Sequence, residues 1–85
     1  MPNKPPTRRE ARYLEVLEQL RRERVPALHP EIASRLGYRS VTSVWQLHDQ
    51  LVAKGYLVPA SEGRQLAMVS APVPTAKALR YLKVA

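Results

Sequence analysis

The chain contains no cysteine. That removes disulfides, thiolate-held zinc and thiol nucleophiles from the account and fits a reducing, cytoplasmic setting. Long apolar runs are also missing. Nothing approaches the ~18 residues a membrane helix needs, and Met1–Pro6 lacks the apolar stretch of a secretory signal. No membrane partner is expected. Glycine is scarce, with three in 85 residues, and no glycine-rich phosphate loop can be assembled. Nor does the chain offer a nucleophile–base pair or paired carboxylates, so it reads as a non-enzyme with no cofactor and no small-molecule substrate. His29 and His48 lack a third ligand at useful spacing, which argues against a metal site. Acidic residues are few: seven against fourteen Lys and Arg leave a net charge of +7. Such an imbalance draws a polyanion, most often nucleic acid.

What is present reads as one small domain. Residues 1–6 carry three prolines and form a flexible arm. Thr7 with Glu10 three residues later matches a capping box, opening a helix that ends near Arg24, because Pro26 follows. Tyr13, Val16, Leu17 and Leu20 recur at helical spacing as its buried stripe, with Glu18, Arg21, Arg22 and Glu23 on the wet side. Pro30 suits the first position of a second helix, whose inward face is Ile32, Ala33 and Leu36. Gly37 supplies a left-handed cap. Ser40 is a good N-cap for a third helix over Val41–Lys54, which Gly55 terminates. Beyond it, Tyr56–Val58 and Gln65–Val69 read as two strands joined by the turn formers of Pro59–Arg64. A tail over 70–85 has Thr75 as the cap of a short helix, Ala76–Lys83.

Helix, glycine turn, helix and hairpin is the winged helix-turn-helix order. The expected fold class is α+β, mainly α: a three-helix bundle plus a C-terminal β-hairpin wing, over residues 7–69. Ala33 lets two helices cross closely, Gly37 makes the turn, and Val44 anchors the third helix on the second. The segment Glu31-Ile-Ala-Ser-Arg-Leu-Gly-Tyr-Arg-Ser40 then makes the pattern specific. It resembles the N-terminal DNA-binding domain of LexA-type repressors, and the likeness runs from about Thr7 to Val69. The resemblance implies a bacterial transcription regulator that binds double-stranded DNA through the third helix. It also implies a latent protease domain that a chain of this length does not accommodate, so self-cleavage is not carried over. Members of that family read operators with Asn, Ala and two Glu where this chain has Thr42, Ser43, Trp45 and Gln46, which implies a different operator.

At ~100° per residue, Val44, Leu47, His48 and Leu51 face inward, and Thr42, Gln46, Asp49 and Ala53 face out. Ser40, Thr42, Ser43, Trp45 and Gln46 are the candidate base readers: Gln46 suits adenine, Thr42 or Ser43 a base edge or thymine methyl, and Trp45, a quarter turn from the core centre, either stacks on sugar and a thymine methyl or half-buries against the wing. Arg8, Arg9, Arg39, Lys54 and Arg64 are the candidate phosphate contacts. Arg35 reads as an ordinary surface residue. Because one module buries little duplex, a homodimer on two half-sites is the expected assembly. Two rival readings remain: a winged-helix protein-interaction module, and a sequence-indifferent nucleoid binder. The second needs a basic, aromatic-rich face, whereas the third helix carries no basic residue before Lys54.

Overall fold

The fold comes from a computed structural model that describes residues 4–58 and 72–83. Among the described residues four helices follow in order: α1 (Arg8–Glu23), α2 (His29–Leu36), α3 (Val41–Ala53) and α4 (Ala76–Leu82). Helix α1 starts where its capping box places it. The Glu10 N–H donates to Thr7 Oγ1 at 3.2 Å and the Thr7 N–H donates back to Glu10 Oε1 at 2.9 Å, so two of the orphan donors of the first turn are satisfied. At the other end Arg24 takes the left-handed conformation, with φ 60°. The Val25 N–H then closes on Leu20 O at 3.0 Å. Pro26 prevents the helix from resuming.

The apolar stripe of α1 is wider than periodicity indicates. Leu14 is buried together with Tyr13, Val16, Leu17 and Leu20, because α1 packs against α2, α3 and α4. Ile32 and Ala33 meet it from α2, and Val44, Leu47 and Leu51 from α3. Tyr56, Leu57 and Ala78 close the core below. Burying such side chains contributes roughly 1.5–3 kcal/mol each, which is how so short a chain holds together. The segment over 72–83 is therefore more than an appendage: Ala78 lies within the core and Leu82 packs on its edge.

The expectation of an α+β fold with a β-hairpin wing is corrected. Among the described residues the regular elements are all helices, and β pairing is limited to one isolated antiparallel bridge, Leu57 to Pro74. The bridge rests on the Val58 N–H donating to Val73 O at 2.9 Å and the Thr75 N–H donating to Tyr56 O at 3.0 Å. It does not lengthen on the Tyr56 side, where the Tyr56 N–H is already donated to Leu51 O at 2.8 Å and Thr75 caps α4. The run Tyr56–Val58 thus closes on residues 73–75. The turn Pro59–Arg64 and the returning strand Gln65–Val69 lie outside the described residues.

Candidate nucleic-acid interface

The helix-turn-helix unit consists of α2, the turn Gly37–Ser40 and α3. Gly37 holds φ at 78°, a conformation that costs an L side chain ~1–2 kcal/mol. Its N–H donates to Ser34 O at 3.2 Å and that of Tyr38 to Ala33 O at 2.9 Å, closing α2 and throwing the chain outward. Ser40 stands at the N-cap of α3 as expected, yet its side chain makes no capping hydrogen bond. No acidic residue occupies the first turn of α3, so the positive end of the helix dipole is left uncompensated there.

Helix α3 is strongly two-sided. Val44, Leu47, His48 and Leu51 are buried, as the spacing predicts, and Thr42, Gln46, Asp49, Gln50 and Ala53 are exposed. Of the candidate base readers, Ser40, Thr42 and Gln46 are exposed and Ser43 is half-buried. Trp45 departs from the set. It is only 7% exposed, and its ring lies in an aromatic cluster within the domain. It stacks on His29 with centroids 4.2 Å apart and meets His48 edge-on at 5.2 Å. The two imidazoles are themselves 5.5 Å apart. Placing Trp45 by helical phase alone overlooked His29, the first residue of α2, which is fully buried and supplies the surface the indole covers.

The candidate phosphate contacts also divide. Arg8, Arg9 and Arg39 are exposed and form no ion pair with another described residue. Arg64 lies outside the described residues. Lys54 is engaged inside the protein: its Nζ donates to Glu10 Oε1 at 2.6 Å and to Pro5 O at 3.3 Å, and its side chain is 19% exposed. Lys54 caps α3 as expected, and a second lysine, Lys77, comes to the same helix end. Its Nζ donates to Lys54 O at 2.7 Å and lies 4.6 Å from the centre of the Tyr56 ring. Cations there compensate the negative end of the α3 dipole.

Two buried carboxylates escaped sequence reasoning. Glu10 is almost fully enclosed, since it serves the capping box and Lys54 together. Glu18, expected on the wet side of α1, is 8% exposed. Arg21 grips it with two bonds, of 2.8 and 2.6 Å, and Arg22 adds a third at 3.0 Å. Chiefly because Arg21 hydrogen-bonds the ionised form, its pKa falls from 4.5 to about 2. The i, i+3 and i, i+4 spacing of the two arginines was the available signal. Arg35, read as a surface residue, ties α2 to α1 by bonding Glu23 at 2.8 Å while also reaching Glu31 at 3.2 Å.

The resulting surface has a polar, nearly uncharged edge (Ser40, Thr42, Gln46) beside the exposed Arg39. Such an edge can exchange hydrogen bonds with base edges, and a guanidinium can hold a phosphate. Among the described residues no helix is long and apolar enough to cross a membrane, and no three side chains are grouped to hold a metal ion. Neither a family model, nor a curated protein, nor a solved structure matches this chain.

Proposed function

We propose that this protein is a sequence-specific double-stranded DNA-binding regulator of transcription, with α3 as the helix that enters the major groove. The observation that carries the reading is the two-sidedness of α3: one face is sealed in the core, and the other offers Thr42 and Gln46 one turn apart beside Ser40. A major groove ~12 Å wide admits a helix, and short uncharged side chains let its axis approach the bases. Gln46 suits the paired donor and acceptor of adenine, and the Thr42 methyl suits thymine. Arg39, exposed beside the uncompensated N-terminal end of α3, would hold a backbone phosphate and fix the register. The +7 charge would speed encounter with the polyanion.

The proposal includes two copies on a two-fold site, since one small module covers few base pairs, and action on the nucleoid. Rounds of selection from a pool of random duplexes test it. Enrichment of a short motif, repeated with inverted symmetry if two copies bind, is the expected result. Recovery of the pool in its starting composition overturns sequence reading.

A further inference from the structure

Lys54 is the one basic residue within or directly capping α3, and its charge is directed inward. The carboxylate it meets, Glu10, is buried and belongs to the first turn of α1. The same ammonium reaches the carbonyl of Pro5 in the arm that precedes α1. Lys54 therefore fastens both the arm and the start of α1 to the C-terminal end of α3. What is fastened is strongly basic. Lys4, Arg8 and Arg9 are exposed, and Arg8 and Arg9 sit at the positive end of the α1 dipole, where cations are disfavoured. Helix α3 has 13 residues and so spans about 20 Å. Its N-terminal end has Arg39. At its C-terminal end Lys54 is turned inward and the Lys77 ammonium bonds the Lys54 carbonyl, so the exposed cations that this link brings beside that end are those of the arm and the first turn of α1.

Resting on the DNA-binding reading above, we infer that Lys54 is a positioning residue. It fixes the basic arm and first turn of α1 beside the far end of α3, where Lys4, Arg8 and Arg9 hold phosphates of the duplex that α3 reads. The contact carries no base information. It sets the charge neutralised on binding, and with it the salt dependence, because each phosphate contact adds about 0.9 to the slope of log affinity against log salt.

The test uses the full chain and the best duplex from selection, with a scrambled duplex beside it, over 50–200 mM salt. Arg8→Gln with Arg9→Gln alters only exposed side chains. It should weaken both duplexes alike, on the order of tenfold, and lower the salt slope by about two. Lys54→Met is made together with Glu10→Gln, so that no buried carboxylate is left alone and the amide oxygen can still accept from Thr7. With circular dichroism showing the wild-type helix content, this pair should also lower the slope while the ratio between duplexes is kept. Added to the arginine pair, it should lower the slope by no more than the one remaining contact, that of Lys4 (about 0.9), because the segment it positions no longer carries the other two charges. A purely structural role would give additive losses. The inference is overturned if the arginine pair leaves the slope unchanged, or if the Lys54 and arginine losses add. A wild-type protein that does not distinguish the two duplexes overturns the parent reading instead.

Discussion

The indole of Trp45 lies nearly flat on the imidazole of His29, with their planes inclined by 15°. One ring begins α2 and the other belongs to the second turn of α3, so the stack joins the two helices of the helix-turn-helix across their turn. Replacing His29 with Ala removes half of this buried pair. The lost ring contact, worth ~0.5–1.5 kcal/mol, adds to the cavity left behind, for a total of about 2–3 kcal/mol. Urea unfolding followed by the emission of Trp45, the only tryptophan, reads both effects. The midpoint should fall and the folded-state emission should shift to the red. A variant with wild-type stability would mean that the stack does not hold α3 in place.

Glu18 gives the fold a dependence on acid. Its folded-state pKa is depressed to about 2 from 4.5, so its contribution is fully present above the ordinary carboxylate value and is lost as pH falls toward 2. Arg21 and Arg22 are largely exposed, and solvent screening reduces the gain to about 1 kcal/mol. Glu18→Gln should therefore lower stability by about that amount at pH 7, with the difference from wild type shrinking through pH 4 and vanishing near pH 2. A difference independent of pH would assign the effect to packing rather than charge.

Local chemistry was legible in the sequence wherever one residue dictates it. Thr7 and Glu10 announce the start of α1, Gly37 announces the end of α2, and Thr75 announces α4; each depends on bonds or backbone angles spanning three or four residues. The buried face of α3 was legible for the same reason, since helical phase alone separates Val44 and Leu51 from Thr42 and Gln46. Long-range partners were not. Nothing near Lys54 in sequence indicates Glu10, 44 residues away, and an isolated lysine at a helix end reads as a free cation. For Trp45 sequence leaves burial and exposure both open, and its partner is illegible because His29, the residue that covers it, begins another helix. The wing followed from a β-prone run at Tyr56–Val58, which bonds Leu51 at the end of α3 and, across the bridge, Val73 and Thr75, residues of a proline-bearing segment that reads in sequence as a tail.

Gly37 tests whether the turn is set by backbone angle or by crowding. A Cβ built there meets no atom within 4 Å, while φ is 78°. The cost of Gly37→Ala is therefore conformational, about 1–2 kcal/mol. Asn tolerates the left-handed region better than Ala, so Gly37→Asn should lose less, despite its larger side chain. Thermal unfolding of the two variants ranks them. If Asn proves the more disruptive, side-chain size governs the turn and the backbone argument is wrong.

Gln46 separates reading from mere attraction. Its side chain is exposed and removing it uncovers no core, so Gln46→Ala should change stability by no more than about 0.5 kcal/mol. If the amide pairs with an adenine, its loss relaxes preference at one base pair by about 1–3 kcal/mol, a factor of roughly 5 to 150 in relative affinity. Scrambled duplexes should be bound as before, and the salt slope should not move, because no phosphate contact is lost. Arg39→Ala should do the opposite, weakening every duplex and lowering the slope by about one. Titrating both variants against the selected site and its single-base substitutions distinguishes the two roles. Uniform weakening by Gln46→Ala on all duplexes would mean that α3 touches DNA without reading it.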